Sequence, residues 1–565
     1  NIVKWVEWCC WVSIINGTFL NFNEMRLNIF ALSMSLILIS CSTKQHADLL
    51  VYNAQVYTAD EQNTVVSAFV VKDGVFVAVG DEQTLRKTYY FDAEQDLKKR
   101  TVLPGLIDAH AHFYGLGLFL SDVDLVGTQS EREVLDRLLA TYPAYSKTAL
   151  IRGRGWDQND WESGVFPHKS LLDSLYPDTP VVLERIDGHA YWVNQLVLDL
   201  AGINAQTKVA GGFVVMDSGE PTGVLIDGPM SLVDAVLPQK SKEDQETALL
   251  MAQTEVLSYG ITALSDAGLD RQVIELMDEM HQQNALHLRI DAMISNTPEN
   301  LDYYLPKGVY VTPKLRVGSV KVYGDGALGS RGAALKRPYA DYPGHFGAMV
   351  TPVEAIEKLA HRLAKTDFQM NTHAIGDSAN AVVLNAYQKV LADKPGRRWR
   401  VEHAQIIDGL DIPSFSSDII PSVQPTHATS DMYWAEKRLG SERMNGAYAY
   451  ARLLKQSGIL ALGTDFPVEQ VNPFLTFYAA TMRKDINNYP ESGFQMENAL
   501  SREETLKGMT IWAAYSNFEE KEKGSIEVGK FADFVILNQD IMQVNGNEIP
   551  KTKVVSTYVN GEKVY

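Results

Sequence analysis

Residues 103–112 read Leu-Pro-Gly-Leu-Ile-Asp-Ala-His-Ala-His, an apolar run that closes on two histidines one residue apart. Alternate side chains of a strand point to one face, so His110 and His112 share a face of a strand predicted over Thr101–His110. Neutral imidazoles at that spacing can bind one metal ion. The motif alone is equally compatible with an ordinary surface pair. Seven further apolar segments supply its context: Gly260–Asp266, His287–Ile294, Arg316–Tyr323, Phe368–His373, Arg398–His403, Ile419–Gln424 and Ile459–Thr464. Helical periodicity separates most of them, as over Val353–Ala364 and Asn380–Leu391. Strands alternating with helices imply parallel strands under a helical cover. Eight of them predict an α/β fold, a (β/α)8 TIM-like barrel, whose functional side chains gather at the C-terminal ends of the strands.

Other predicted strands also end in ligand types. The fifth ends in His373, the sixth in Glu402-His403, and the eighth runs into Gly463-Thr464-Asp465. A lone histidine at a strand end is ordinarily structural, but several strands converging on one mouth form a metal-binding pattern. In the fourth strand Val320 and Val322 would face the helices, which turns Lys321 toward the barrel interior. A buried ammonium is driven toward the neutral amine, and a neutral amine beside divalent cations can take up CO2 to become an anionic, bridging carbamate. An ion pair of Lys321 with Asp325 or Glu184 is the alternative, and spacing does not choose between them.

The long gap after the first strand predicts an inserted subdomain at about 113–245, over the barrel mouth. Alternating segments at 48–100 and 521–565 predict a small β-sandwich built from both ends of the chain, around a barrel domain spanning 101–520. Lys72-Asp73-Gly74 and Asn560-Gly561 are hairpin signals within it. Gly524-Ser525-Ile526-Glu527-Val528-Gly529-Lys530 imitates a phosphate-binding loop, but Phe531 stands where Ser or Thr is needed, so it reads as a sandwich turn.

Composition narrows the function. With 565 residues the chain can hold a large barrel and a companion domain. A net charge of −19 argues against nucleic acid and against docking of the folded body on an anionic membrane. The three cysteines are Cys9, Cys10 and Cys41, which excludes a disulfide framework or a Cys-ligated metal in the body. Residues 25–40 read as a lipoprotein signal: Met25-Arg26, an apolar run from Leu27 to Ile39, then Leu38-Ile39-Ser40-Cys41, which resembles a bacterial lipobox. An ordinary secretory signal or a buried apolar helix is the plainer reading. On the lipobox reading Cys41 carries a lipid, residues 41–47 form a tether, and the protein sits in the bacterial cell envelope, facing the periplasm from the outer membrane. Contact with the membrane is then through that lipid only. Residues 1–24 read as an upstream extension outside the fold.

Across roughly 48–565 the chain resembles the amidohydrolase superfamily. The resemblance rests on residues 103–112, His373, His403, Gly463-Thr464-Asp465 and Lys523-Gly-Ser-Ile-Glu-Val-Gly-Lys-Phe-Ala-Asp-Phe-Val-Ile-Leu537. Lys321-Val-Tyr-Gly-Asp-Gly-Ala-Leu-Gly-Ser-Arg331, His373-Ala-Ile-Gly-Asp377, Glu402-His-Ala-Gln405 and Gly463-Thr-Asp-Phe-Pro-Val468 resemble the YtcJ-like branch, which includes N-substituted formamide deformylases. The resemblance implies two divalent metals: His110 and His112 on the buried one, His373 and His403 on the exposed one, carboxylated Lys321 bridging, and Asp465 as ligand and general base. Zinc suits such ligation, and Mn, Fe, Co or Ni also fit it. A metal acidifies bound water to a pKa of roughly 7, Asp465 takes its proton, and the exposed metal polarises the substrate carbonyl.

Further candidates surround this set. His427, after the seventh strand, is a donor to the substrate carbonyl or a structural histidine. Glu184, Asp187 and His189 resemble a branch motif at the pocket border. Asp377 is a candidate to orient a metal-binding histidine, and Asp325 and Arg331 are candidate substrate contacts. Trp156, Trp161 and Trp192 suggest an apolar or ring-bearing ligand, or ordinary packing. The expected function is metal-dependent hydrolysis of a non-peptide carbon–nitrogen bond in a small molecule. Hydrolysis of an ester, lactone or phosphoester, or a non-catalytic ligand-binding lipoprotein, are the competing readings, and the sequence leaves a homo-oligomer open.

Overall fold

Gly105 divides the predicted first strand in two. Thr101–Pro104 joins a six-stranded sheet between Gln55–Tyr57 and Phe534–Leu537, while Leu106–Ala111 begins the barrel. A Cβ at Gly105 would stand 2.1 Å from Thr262 Oγ1, so a side chain there would block the chain as it changes sheets. The computed structural model describes residues 44–238 and 241–565. The signal segment, Cys9, Cys10 and Cys41 lie outside the described residues.

The barrel strands are β1 (Leu106–Ala111), β2 (Ile261–Leu269), β3 (Arg289–Ser295), β4 (Leu315–Tyr323), β5 (Gln369–Ala374), β6 (Trp399–His403), β7 (Ile419–Val423) and β8 (Ala461–Leu462). They pair in chain order, all parallel. The ring meets itself where Asp465 N–H donates to His110 O at 2.8 Å and His112 N–H to Phe466 O at 2.8 Å. Seven of the helices are α1 (Phe113–Ser121), α2 (Lys242–Ser258), α3 (Arg271–Gln282), α4 (Val353–Leu363), α5 (Asp377–Leu391), α6 (Pro425–Asp431) and α7 (Tyr450–Ser457). The apolar core lies between strands and helices: Val320 and Val322 of β4 pack there with Ile356, Leu359 and Leu363 of α4. The inward positions are polar, including Ser265, Asp291, Lys321, Asn371 and Arg400, each 1% exposed or less.

The sandwich has two sheets. One takes its strands in the order 75–80, 68–72, 45–52 and 89–96; the other in the order 562–563, 554–559, 534–537, 101–104, 55–57 and 65–66, so the two ends of the chain meet in this second sheet. Asp73 and Gly74 have φ of 51° and 77°, Asn560 and Gly561 of 52° and 73°. Two successive left-handed residues make the tight hairpin that matches strand twist. Residues 45–47, expected to lie in a tether, instead begin the first strand of this sheet: Ala47 is wholly buried, and His46 Nε2 meets Asp92 Oδ2 at 2.9 Å. Its partner Tyr89–Asp96 is mostly polar and exposed, which hides a strand from pattern reading.

The insertion after β1 holds a six-stranded sheet running from Val123 to Asp227. It is narrower than 113–245, because α1 packs on α2 in the barrel's own helical layer. At their crossing a Cβ on Gly117 would come within 2.2 Å of Ala248 O. Trp156, Trp161 and Trp192 are at most 4% exposed and pack against one another in the core of this sheet. The packing reading therefore holds for them, and the ligand reading does not.

Candidate metal centre and active-site cavity

At the C-terminal ends of the strands His110, Lys321, His373, His403 and Asp465 come together, all at most 5% exposed. Neighbouring ring centroids are 4.8 Å apart for His110 and His403, and 4.5 Å for His373 and His403. Asp465 Oδ1 lies 3.2 Å from His112 Nε2, and Oδ2 lies 3.3 Å from His427 Nε2. Two triplets, His110–His112–Asp465 and His403–His427–Asp465, keep their ligand atoms within 4.8 Å of one another. His373 falls outside both triplets. Its Nε2 is buried and makes no hydrogen bond, with Asp325 Oδ1 3.5 Å away. His403 and Asp465 both adopt left-handed backbone, with φ of 70° and 64°. Non-glycine residues there cost on the order of 1–3 kcal/mol, a strain that collects at functional sites.

Electrostatics prepares these groups as ligands. Burial pushes His110 down to about 4, with the Lys321 ammonium adding to it, and holds His373 and His403 well below the usual imidazole range. All three rings are neutral at neutral pH, as metal binding requires. Burial opposes the charge of Asp465, but hydrogen bonds from His112 and His427 hold it well below the usual carboxylate range. Burial also pushes Lys321 down to about 8. Its Nζ lies 3.0 Å from His110 Nε2. Neither sequence-proposed partner of Lys321 is free: Glu184 pairs with Arg154 at 3.3 Å, and Asp325 accepts N–H groups from Ala334, Ile375 and Gly376 at 2.8–2.9 Å. The neutral rings, the ionised Asp465 and the orphaned His373 Nε2 fit a divalent metal site.

Outer partners fix the rings. His110 Nδ1 donates to Glu402 Oε2 at 2.5 Å and His403 Nδ1 to Gln424 Oε1 at 2.8 Å, which leaves both Nε2 lone pairs directed inward. Asp108 accepts from His110 N–H, from Thr464 N–H and from Thr464 Oγ1, at 3.1, 3.0 and 2.7 Å, tying the His-x-His strand to the one that carries Asp465. Sequence reading gave none of Glu402, Gln424 or Asp108 a role. Glu402 and Asp108 nevertheless stand inside the quoted motifs, next to residues that were assigned.

The cluster opens into a cavity of about 460 Å³ lined also by His189, His427, Asp187, Tyr323 and Glu469. His427 bridges Asp465 and Glu469; burial disfavours its charge, but these carboxylates raise it to about 10. His189 Nδ1 meets Asp227 Oδ1 at 2.5 Å, and against burial this carboxylate raises it to about 9. Three further candidates sit away from the cavity. Asp377 Oδ1 accepts from Lys336 N–H at 2.8 Å at the start of α5 and touches no metal-competent ring. Arg331 pairs with Asp341 at 3.0 Å in the loop after β4. Asp325 is fully buried and spends its oxygens on backbone N–H groups beneath His373. Glu184 stands behind the wall, where Arg154 also donates to Pro467 O and Ile186 O at 2.8 and 2.9 Å and so ties the insertion to the turn after Asp465.

A model of the amidohydrolase family matches residues 93–565. The chain is 33% identical over 539 residues to the protein LONG AFTER FAR-RED 3 of Arabidopsis thaliana, covering 92% of each chain. It is 31% identical over 520 residues to the YtcJ amidohydrolase of Bacillus subtilis, covering 90% of this chain and 98% of that one. It is 26% identical over 546 residues to the N-substituted formamide deformylase of Arthrobacter pascens, covering 92% and 98%. Among solved structures, an uncharacterized metal-dependent hydrolase from Pyrococcus horikoshii superimposes with a TM-score of 0.72 and 26% identity, covering 88% of this chain and 99% of that one.

Proposed function

Because this chain belongs to the amidohydrolase family, we propose that it is a metal-dependent hydrolase that cleaves a non-peptide carbon–nitrogen bond of a small molecule. One observation carries the reading: neutral imidazoles from β1, β5 and β6, an ionised Asp465 after β8 and a depressed-pKa Lys321 on β4 meet at one mouth. His110, His112, His373, His403 and Asp465 would hold two divalent ions, with zinc the ion of choice for this donor set. When bound, the metals supply an acidified water and a polarising charge for the substrate carbonyl.

The residues of the chain do the rest. Asp465, kept ionised and anchored by Asp108 through its neighbour Thr464, is placed to accept a proton and to return it to the leaving nitrogen. His427, held protonated between Asp465 and Glu469 and lining the same cavity, supplies positive charge that stabilises the carbonyl oxygen as negative charge develops there. Lys321, with its pKa lowered to about 8 and no carboxylate partner in hydrogen-bond range, would take up CO2 through its neutral amine fraction, releasing a proton, and join the ligand set as a carbamate. Anchoring by a lipid on Cys41 accompanies this reading, and lipid labelling that disappears in Cys41→Ala tests it.

The catalytic test pairs elemental analysis with a panel of N-acyl, N-formyl and cyclic amides on the metal-replete full chain. Near two metals per chain, with both metal and turnover falling in Lys321→Ala, supports the bridged pair. About one metal, with activity retained in Lys321→Ala, removes the bridge. Turnover of esters but not amides moves the reaction to the oxygen series.

A further inference from the structure

His112 has two duties that call for different side chains. It is one of the ligand-type histidines at the mouth, with Nε2 3.2 Å from Asp465 Oδ1. It also stands at the N-cap position of α1, with φ −122° and ψ 76°. Helices are capped by Ser, Thr, Asp or Asn, whose side-chain oxygens accept the free N–H groups of the first turn. An imidazole turned toward a metal cannot do this, and the His112 ring makes no capping bond. The start of α1 does not compensate. Its first turn has no acidic residue, and Gly115 and Gly117, both poor helix formers, lie within its nine residues.

The acceptor comes from β2. Asp266 pairs across the β1–β2 ladder with Ala111, the residue before His112. Its Oδ1 accepts the Phe113 N–H at 3.0 Å and its Oδ2 the Tyr114 N–H at 3.1 Å, and it is 1% exposed. Both oxygens are therefore spent on the two residues that follow His112. Asp266 sits at the C-terminal end of a barrel strand, where functional side chains gather, yet it belongs to neither metal-competent triplet.

His112 needs this hold more than its neighbours do. Glu402 fixes His110 through Nδ1, and Gln424 fixes His403 in the same way. The His112 ring has no such outer partner among the described residues; Asp465 is the polar group it meets. Its aim depends on its backbone. The His112 N–H donates to Phe466 O at 2.8 Å, its carbonyl accepts the Leu116 N–H at 2.7 Å, and the next two N–H groups are held by Asp266.

We propose, resting on the metal-dependent reading above, that Asp266 is the positioning residue of His112: it caps α1 in the histidine's place and so holds the imidazole at the metal mouth.

Zinc alone is the probe, in competition with a chelator, on the full chain. Asp266→Asn keeps the size of the side chain and loses one of the two acceptors; Asp266→Ala loses both. The zinc affinity of one of the two sites is expected to fall by about 10-fold in Asp266→Asn and by about 100-fold in Asp266→Ala. The visible absorption of the cobalt-loaded protein should change with it, because an imidazole is displaced from the ligand set. Asp266→Asn carries the test if Asp266→Ala does not fold. Ser501→Ala is the control: it uncaps the helix Arg502–Gly508, whose residues do not line the cavity, and should lower stability without moving either readout. Zinc affinity and cobalt absorption unchanged in folded Asp266→Asn overturn the proposal and leave the hydrolase reading standing. An equal loss in Ser501→Ala also overturns it, since stability alone would then account for the effect. A wild type that binds no zinc counts against the metal-dependent reading instead. Hydrogen exchange of the metal-free protein then decides: faster exchange over residues 112–121 in Asp266→Asn supports the proposal, and unchanged exchange overturns it.

Discussion

A carboxylate with no exposed surface must be held by charge and donors, and Glu402 is held by both. Arg400 Nε stands 2.6 Å from its Oε1 and His110 Nδ1 2.5 Å from its Oε2. Burial opposes its ionisation, but Arg400 and His110 hold its carboxyl far below the usual range. An ionised Glu402 requires the proton of His110 on Nδ1, which is what frees Nε2 for a metal. Glu402→Gln keeps the shape and loses that demand, because the amide can itself donate. We expect metal affinity to fall by about 10–100-fold, read by competition with a chelator; affinity within twofold of wild type removes the orienting role. Asp465→Asn tests the base. It should lower kcat by on the order of 10²–10⁴-fold in protein loaded with metal at saturating concentration, whereas unchanged kcat assigns proton transfer elsewhere. At this scale the ligand-type residues were legible in the sequence, because histidines and an aspartate at strand ends announce themselves. Their outer partners were not, since the Glu402–His110 bond spans 292 residues.

Elements carry their own constraints, and β8 carries the most. It forms only two ladder residues, Ala461 and Leu462, so the path to Asp465 depends on Gly463 lying flat against β1. A Cβ there would meet His110 N at 2.6 Å and Asp108 Oδ1 at 2.8 Å. Backbone cannot swing aside as a long side chain can, so Gly463→Ala should cost about 2–3 kcal/mol and displace Asp465 enough to reduce metal content. Urea titration with elemental analysis checks both, and a stable, fully loaded variant contradicts the packing argument. On α3, His281 Nε2 donates to Leu288 O at 2.9 Å while Nδ1 is buried without a partner. Burial therefore lowers its pKa to about 4. The folded state refuses a proton that the unfolded chain binds below about 6.5. The contribution of this group is complete above that pH and is lost as pH falls toward 4. Between pH 7.5 and 4.5 the wild type should lose about 2–3 kcal/mol more stability than His281→Gln; parallel pH slopes would falsify the assignment. The number and order of the barrel strands were legible in the sequence because each carries an apolar outer row. Boundaries were less so: the break at Gly105 depends on Thr262, and the strand from Gln45 depends on a polar partner at Tyr89–Asp96.

The whole molecule holds together where the barrel meets the sandwich, and a single guanidinium sits at that seam. Arg289 of β3 reaches Asp533 Oδ2 with Nε at 2.6 Å and Asp533 Oδ1 with Nη2 at 3.0 Å, lies 3.8 Å over the Phe531 ring, and donates to Asn560 Oδ1 at 2.5 Å. Asp533 also accepts the Asn560 N–H at 2.9 Å, which fixes the last hairpin. Alternation at both ends of the chain showed that a sandwich would form from them. The seam could not be read, because Arg289 and Asp533 are 244 residues apart and each looks like a surface charge in isolation. Both are at most 5% exposed. Removing one partner of such a pair strands the other charge in low dielectric, whereas removing both does not. Arg289→Ala should therefore destabilise the protein by about 3–5 kcal/mol, and Arg289→Met combined with Asp533→Leu should lose much less. The comparison has to be made by urea unfolding followed with far-ultraviolet and near-ultraviolet circular dichroism together. If the seam couples the two units, both probes shift as one transition in the single variant. Two separated transitions in Arg289→Ala, with the barrel midpoint unchanged, would show that the sandwich unfolds independently and that the buried pair does not bind the molecule into one cooperative unit.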